Sequence, residues 1–244
     1  MLWDYIDKRT ANVYGIYGHL GGGKTLTAVE MSIHALKAGW HVSSNVLLKN
    51  LSPQMACNYT YIENFENQDF WKLPCGAPRG SSDTYRSVIV IDECAEFFDQ
   101  FSSTSSTVKS FSSWLRHSSK RGQIVFLIVQ QPEFIAKSLR LLIHKWIVCV
   151  DLAQFRMPVL RAGLPFSSDY VWRRIFDRYG NLISRGFNLA SKAAIGTFYD
   201  TAQSIAVAGR SNNYTPHENA RKTPLDAFLA LALVLYIILL TMRL

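Results

Sequence analysis

The sequence predicts an α/β fold in which helices cover both faces of a mainly parallel β-sheet. Between Val13 and Asp151, apolar runs of strand length alternate with helical patterns, as the crossover connections of a parallel sheet require. These runs are continuously apolar, which is typical of strands buried on both faces. The length of 244 residues and the hydrophobic content of 48% suit one globular domain with a small addition, and they exclude intrinsic disorder, collagen and a disulfide-stapled miniprotein.

The first predicted strand, Val13–Gly18, leads directly into the segment GHLGGGKT, Gly18–Thr25. This segment matches G-x-x-x-x-G-K-[ST] at every fixed position, and it lies between a strand and a helix, where a phosphate-binding loop belongs. In such a loop the backbone N–H groups surround a phosphate, the lysine reaches the β and γ phosphates, and the Thr hydroxyl binds Mg²⁺. The predicted nucleotide-binding residues are Gly18, Gly21, Gly22, Gly23, Lys24 and Thr25, with Thr25 also a metal ligand.

The segment after this loop predicts a helix that closes at Gly39, where a left-handed cap is expected. The second strand is predicted within Trp40–Leu48. Residues 52–86 contain scattered Pro, Asn, Gln and Gly around a few aromatic residues, which is typical of loops. We interpret them as a loop-rich insertion with one short helix.

The next apolar run, Ser87–Glu93, ends in two carboxylates. At the carboxyl end of a buried strand, Asp92 would hold Mg²⁺ through water, and Glu93 would polarise the water that attacks the γ-phosphate. A carboxylate pair at this position indicates an ATP hydrolase. The chain has no N-K-x-D guanine-reading motif, so ATP is favoured over GTP.

Two further strands are predicted, at Gln123–Gln131 and Lys145–Asp151. Gln130, at the tip of the strand beside the carboxylate-bearing one, is the predicted γ-phosphate sensor, with Gln131 second; the alternative is an amide that caps a loop. Arg116 is the predicted finger that stabilises charge on a neighbouring subunit's ATP. Arg121 and Arg140 are alternative fingers.

A serine-rich stretch, 102–119, separates the carboxylate-bearing strand from the Gln-tipped one. The composition leaves two interpretations open: a mobile loop that couples nucleotide state to DNA binding, or a solvated linker.

Basic residues concentrate in residues 101–223, which hold 17 of the 26 Lys and Arg but only 6 of the 18 Asp and Glu. Such an excess suits a polyanion or an anionic membrane surface. The residues predicted to contact DNA phosphates are Lys109, Arg116, Lys120, Arg121, Arg173, Arg174 and Arg178. The aromatic residues that would stack on single-stranded bases, unless they belong to the core, are Trp114, Phe166, Tyr170, Trp172 and Phe176. The segment around Val171–Arg178 is predicted to be an amphipathic helix.

The C-terminal segment contains sixteen residues without a charge, Ala227–Met242. Its apolar residues cover every face of a helix, so a transmembrane helix over 224–244 is predicted, with a buried helix as the alternative. Arg221 and Lys222 favour a cytoplasmic N-terminal side. The predicted organisation is an ATPase domain at 1–200, a linker at 201–223 and a single-pass anchor.

These motifs together resemble the filamentous-phage assembly ATPases of the zonula occludens toxin (Zot) family, within the FtsK–HerA class of P-loop motors. The likeness covers roughly residues 12–200 and rests on GHLGGGKT, on VIVIDE followed by a polar-aromatic helix, and on WLRHSSKRGQIVFLIVQQPEFIAKSLR. It implies a homo-oligomeric motor in the host inner membrane that uses ATP and Mg²⁺ to move phage DNA. It also implies contacts with other phage assembly or capsid proteins. The aromatic residues among the basic ones favour single-stranded DNA.

The family usually continues past its membrane span, whereas this chain ends two residues after Met242. A genome-packaging ATPase of a membrane-containing icosahedral phage, located in the virion membrane, is therefore an alternative. Two others are a membrane-tethered nucleotide switch that acts by binding partners, and a membrane-interaction protein with a vestigial phosphate loop.

Overall fold

The computed structural model describes residues 2–7, 12–65, 68–78, 85–102, 104–152, 170–184 and 188–199. Apart from Asp151, Leu152 and Tyr170, the described residues belong to one compact unit, Met1–Val150 with Val171–Asp200. The predicted linker, 201–223, and the predicted transmembrane helix, 224–244, lie outside the described residues. Within those residues no helix has both the length and the apolar character needed to cross a bilayer.

One β-sheet forms the centre of the fold. Its strands are β1 (Val13–Tyr17), β2 (His41–Ser44), β3 (Tyr59–Tyr61), β4 (Ser87–Ile91), β5 (Gln123–Val129), β6 (Lys145–Asp151), β7 (Tyr170–Asp177) and β8 (Asn188–Ser191). Among the described residues the sheet has eight strands in the order β3-β2-β4-β5-β1-β6-β7-β8. The pairs β2–β3, β2–β4, β4–β5, β5–β1 and β1–β6 are parallel. The prediction of a mainly parallel sheet is confirmed.

Helices pack on both faces of this sheet. They are α1 (Lys24–Lys37), α2 (Pro53–Cys57), α3 (Ser106–His117), α4 (Lys137–Arg140) and α5 (Lys192–Gly196). The buried side of α1 packs with Tyr14, Ile16 and Phe126 in one core cluster, whereas α3 packs with Ile89, Val125 and Leu127 in another. Neighbouring residues of one strand enter opposite clusters, since successive strand side chains point to opposite faces. The predicted covering of both faces is confirmed.

Residues 52–86 contribute more to the fold than a loop-rich insertion would. The expected short helix is α2, whose N-cap Ser52 accepts a hydrogen bond from the Met55 N–H at 3.4 Å. The same region also supplies β3, which adds an edge strand to the sheet. It contributes five buried apolar residues among those described, Ile62, Phe65, Phe70, Leu73 and Ala77. Because these residues are scattered among the Pro, Asn, Gln and Gly that are typical of loops, the sequence pattern did not reveal them.

Most of the serine-rich stretch is helix α3, so neither a mobile loop nor a solvated linker describes residues 106–117. Ser105 begins the helix by accepting a hydrogen bond from the Val108 N–H at 3.1 Å. Phe111 and Trp114 lie on its buried face. The ring centroids of Phe98 and Phe111 are 4.0 Å apart, so the helix packs tightly against the segment that follows β4. Trp114 is fully buried, which excludes it as a base-stacking residue.

The segment predicted as an amphipathic helix around Val171–Arg178 is instead strand β7. Its burial follows a period of two: Val171, Arg173 and Ile175 are buried, and the residues between them are partly exposed. Aromatic and β-branched residues favour strands, and here that preference outweighs a pattern that also fits a helix.

Candidate nucleotide-binding site

The phosphate-binding loop lies between the end of β1 and the start of α1, against two further strands. A Cβ atom on Gly18 would lie 2.3 Å from the backbone oxygen of Cys149 in β6. Gly23 has a left-handed φ of 86°, and a Cβ there would lie 2.3 Å from Cγ2 of Val171 in β7. Both glycines are required because strand atoms occupy the space that a side chain would need. The predicted loop residues Gly21 and Gly22 lie between them.

Lys24 is held inside this loop. Its Nζ donates hydrogen bonds to the backbone oxygens of Gly18 and His19, both at 3.1 Å, and the residue is only 6% exposed. The ammonium group is therefore positioned by the loop itself, at the N-terminal end of α1. A helix N-terminus and a lysine at one point attract the phosphates of a nucleotide.

The two predicted metal ligands are brought together. Thr25 Oγ1 donates a hydrogen bond to Asp92 Oδ2 at 2.7 Å, and these residues are 67 positions apart in the sequence. Asp92 directly follows β4, and Thr25 lies in the first turn of α1. A hydroxyl and a carboxylate are oxygen ligands of the kind that Mg²⁺ uses together with phosphates and water, so the residues present fit that ion.

A residue that the sequence reasoning missed holds Asp92 in place. The side chain of Asn45, directly after β2, donates from Nδ2 to the Asp92 backbone oxygen at 2.9 Å and accepts from the Asp92 N–H at 2.7 Å. Since β2 is the neighbour of β4, Asn45 reaches the backbone just beyond that strand. The available signal was a polar amide inside the otherwise mostly apolar segment Trp40–Leu48 that is predicted to contain the second strand.

Glu93 has an unusual backbone conformation, with φ 48° and ψ 44°. A left-handed conformation costs a non-glycine residue about 1–3 kcal/mol. The Glu93 N–H donates to Asp92 Oδ1 at 2.9 Å, which links the two carboxylate residues. This strained turn places the second carboxylate directly beside the first.

Both carboxyl groups have raised pKa values, with burial as the largest cause for each. Burial raises the pKa of Asp92, and hydrogen bonds from Thr25 and from the Glu93 N–H oppose this shift. Burial also raises the pKa of Glu93, and the charge of Asp92 raises it further. A carboxylate with a raised pKa beside a nucleotide-binding loop has the properties of a general base.

The remaining predicted catalytic residues lie apart from this cluster. Gln130 is exposed and directly follows β5, and because β5 pairs in parallel with β1, it lies at the same edge of the sheet as the loop. Arg116 is exposed near the C-terminal end of α3. Within the described residues, no hydrogen bond or ion pair joins either side chain to Lys24, Thr25 or Asp92. Their catalytic roles stay predictions.

The alternative finger residues have local partners. Arg121 Nη2 donates to the backbone oxygens of Trp71 and Leu73 at 2.7 and 3.3 Å. Arg140 Nη1 lies 3.9 Å from Glu133 Oε1. The contacts of Arg121 tether the turn at Phe70–Lys72 to the start of β5, which gives this arginine a structural role within its own chain.

The arginines of β7 and its following turn, which are predicted to contact phosphates, differ in their exposure to solvent. Arg173 is 1% exposed, forms an ion pair with Glu30 of α1 and donates to the Leu189 oxygen at 3.1 Å. Its prediction as a phosphate contact is wrong, because a buried and paired guanidinium is not accessible to DNA. Arg174 and Arg178 lie outside the core, partly exposed and exposed respectively. Phe166 lies outside the described residues.

A family model described as zonular occludens toxin (Zot) matches residues 12–163. Over 155 residues the chain is 26% identical to the Gene 1 protein of Enterobacteria phage I2-2 and 24% identical to the Gene 1 protein of Salmonella phage IKe. Each alignment covers 61% of this chain and 42% of the relative, so the chain spans less than half the length of these relatives.

Among solved structures, the N-terminal domain of zonular occludens toxin from Neisseria meningitidis is similar, with a TM-score of 0.49 and 15% sequence identity. That match covers 78% of this chain and 100% of the domain. The family model spans more than half of the chain, and its range includes the phosphate-binding loop, Asp92 and Glu93. The chain therefore belongs to the zonular occludens toxin (Zot) family.

Proposed function

We propose that this protein is an ATP-hydrolysing P-loop motor that moves phage DNA during virion assembly. The observation that carries the ATPase part is the 2.7 Å hydrogen bond between Thr25 and Asp92, with Glu93 directly beside them. It joins the phosphate-binding loop to the carboxylate pair at one point. This is the arrangement that phosphoryl transfer to water needs: phosphate binding, metal ligands and a base close together.

Each residue of the site has its own role in the proposed hydrolysis of ATP. The loop backbone and Lys24 would bind and orient the β and γ phosphates, and Thr25 and Asp92 would hold Mg²⁺. The ion would supply charge neutralisation on the phosphate oxygens. Glu93 would orient a water and accept its proton, and Gln130 would contact the γ-phosphate from the neighbouring strand. Arg116 would act on the ATP of an adjacent subunit in a homo-oligomer.

A row of side chains on one face of β7 supports the DNA part of the proposal. The Arg174 guanidinium lies 5.3 Å from the ring centroid of Trp172 and 5.5 Å from that of Phe176. In the turn that follows, Arg178 lies 5.1 Å from the ring of Tyr179, which is 76% exposed. Arginines interleaved with aromatic rings bind backbone phosphates and stacked bases, so single-stranded DNA is the favoured partner. We name these five residues the β7 face.

Both matched relatives are phage proteins, which supports a role in phage assembly. DNA-stimulated ATPase activity of the full chain tests the proposal. We expect Mg²⁺-dependent ATP hydrolysis that rises when a dT oligonucleotide is added at constant ionic strength. Nucleotide binding without any DNA effect would favour a switch that acts by binding partners. Absence of nucleotide binding would reject the ATPase altogether.

We further propose that residues 1–200 form the ATPase domain in the cytoplasm, that 201–223 form a linker and that 224–244 anchor the chain in the host inner membrane. The uncharged run Ala227–Met242 supports the anchor. Fractionation of cells that express the full chain tests it. Retention in the membrane pellet after alkaline washing is expected, and release into the wash would contradict the anchor.

A further inference from the structure

Strand β7 has a second face, which points into the protein and contacts the nucleotide-binding elements. Val171 is fully buried in the same core cluster as the apolar residues of α1. Its Cγ2 and Cγ1 atoms lie 2.3 and 2.7 Å from the position that a Cβ on Gly23 would occupy. Gly23 immediately precedes Lys24. A movement of β7 toward the loop therefore displaces Gly23 and with it Lys24, because a closely packed interior has no empty space to absorb the movement.

Two residues further along the same face, Arg173 makes a second contact with α1. Its guanidinium is paired with Glu30, and its other terminal nitrogen is bonded to the Leu189 oxygen in β8. Glu30 lies five residues beyond Thr25 on one continuous helix, about 7–8 Å along the axis. Because a helix of this length is a rigid element, a displacement at Glu30 is transmitted to the turn that carries Lys24 and Thr25.

The ion pair has the features of a positioning contact. Both partners are withdrawn from water, with 1% and 13% of their side chains exposed. Within the described residues, Nε of Arg173 is buried and lacks a hydrogen-bond partner. A buried charge pair of this kind contributes little net stability compared with apolar side chains of similar size. Here its contacts link β7 to α1 and to β8.

From these contacts we propose that β7 couples DNA binding to nucleotide binding, with Arg173 as the positioning residue between them. One face of the strand carries Trp172, Arg174 and Phe176, and the opposite face carries Val171 and Arg173. DNA bound to the first face therefore shifts the position of Val171 and Arg173 on the opposite face. Their contacts with Gly23 and Glu30 pass this shift to the phosphate-binding loop. This inference rests on the proposed function, because it requires that both DNA and ATP bind.

The coupling makes a reciprocal prediction. If DNA changes the affinity for ATP, then ATP must change the affinity for DNA by the same factor. The experiment measures the Kd of the full chain in detergent for a fluorescent dT oligonucleotide, with and without a non-hydrolysable ATP analogue and Mg²⁺. We expect the analogue to change the Kd of the wild type by about tenfold, within the usual range of coupling between sites.

The test variant is Arg173→Met combined with Glu30→Leu, which replaces the ion pair with apolar side chains of similar length and removes both of its charges. The Nε2 atom of His34, 3.9 Å from Glu30, loses that partner as well. We expect it to bind DNA and the ATP analogue separately, while the analogue changes its DNA Kd by less than about twofold. If the double variant does not fold, Arg173→Gln combined with Glu30→Gln serves instead, because it keeps polar side chains at both positions and leaves neither charge of the pair buried alone. An unchanged tenfold effect in the variant that folds overturns the inference.

The outcomes also separate this inference from the proposed function. Wild-type protein that binds DNA and hydrolyses ATP, but whose DNA Kd ignores the analogue, overturns the coupling alone. Wild-type protein that binds no oligonucleotide rejects the DNA part of the proposed function and the coupling with it. The matched control is Arg174→Ala, which lies one residue from Arg173 on the opposite face; it should weaken DNA binding in both nucleotide states equally.

Discussion

Burial of the charged carboxylate of Asp92 costs folding free energy. Burial raises its pKa, so the folded protein binds the proton more tightly than the unfolded chain does. The contribution of Asp92 to folding stability is therefore greatest below the ordinary pKa of 3.8, and it falls as the pH rises through the higher folded-state pKa. At neutral pH the charged form of Asp92 destabilises the fold, a cost that the proposed binding of Mg²⁺ would offset.

Removal of this charge is expected to stabilise the protein and abolish its activity. Asp92→Asn should raise Tm by about 2–4 °C in the absence of Mg²⁺, the shift that a gain of about 1 kcal/mol produces in a protein of this size. Mg²⁺-dependent ATP hydrolysis should be lost. Thermal unfolding at pH 7 measures the first effect, with Thr25→Ser as the control because it keeps the hydroxyl. A lower Tm for Asp92→Asn would show that its hydrogen bonds outweigh the burial of its charge.

The neighbouring carboxylate is expected to affect chemistry and not binding. Glu93→Gln should retain ATP affinity and lose about 10²–10⁴-fold in kcat, the usual contribution of a general base. Lys24→Ala should instead lose ATP affinity. In the wild type, the apparent pKa of the acid limb of the kcat pH profile should be higher than the usual glutamate value of 4.5, because burial and the charge of Asp92 raise the pKa of Glu93. Full turnover by Glu93→Gln would remove this residue from the catalytic role.

How much of the site follows from the sequence depends on how local each contact is. The residues of the phosphate-binding loop and the pair Asp92–Glu93 each form a contiguous motif, so their positions are predictable. Asn45 is not, because its bonds to Asp92 require knowledge that β2 and β4 are neighbours. Arg173 was assigned to the surface because a charged residue is usually exposed, and its partner Glu30 is 143 residues away.

At the scale of elements, the predictable strands are those with a single strong pattern. Strands β4, β5 and β6 are continuous apolar runs, and they form where expected. Helix α3 was hidden because serine is common in loops, although its apolar residues Val108, Phe111 and Leu115 follow a helical period. The sequence of β7 fits a helix as well as a strand, because its apolar residues lie four positions apart, Val171 with Ile175 and Trp172 with Phe176, and this spacing suits both periods.

The packing of α3 gives a prediction at this scale. Trp114→Ala should lower the free energy of unfolding by about 3–5 kcal/mol, because a fully buried indole leaves a large cavity. Its ring lies among other aromatic rings, 5.2 Å from Phe70 and 5.4 Å from Phe111 by centroid distance. Ser113→Ala, on the exposed side of the same helix, is the control and should change stability by less than about 0.5 kcal/mol. Denaturant titration of both variants measures the difference, and equal stabilities would mean that α3 does not pack as described.

At the scale of the whole molecule, the net charge of +8 favours any polyanion, so DNA binding alone does not locate a binding surface. The structure nevertheless separates the basic residues into groups with different accessibility. Arg173 is buried against Glu30, and Arg121 tethers a turn. Arg174 and Arg178 flank the aromatic rings of the β7 face, where phosphate contacts and base stacking can occur together.

The salt dependence of DNA binding tests whether DNA binds to the β7 face, because its slope reports the number of phosphates that the protein contacts. For single-stranded DNA, log K falls linearly with log salt, with a slope of about −0.7 for each phosphate neutralised. Replacement of both Arg174 and Arg178 by Ala should therefore make the slope less negative by about 1.4, and to a similar extent for every sequence tested, because phosphate contacts carry no sequence information. Lys37→Ala, an exposed residue at the end of α1, removes a charge away from the β7 face and is the control. If Lys37→Ala changes the slope as much per charge as the double variant does, then DNA binds through the general positive charge of the protein and not through the β7 face.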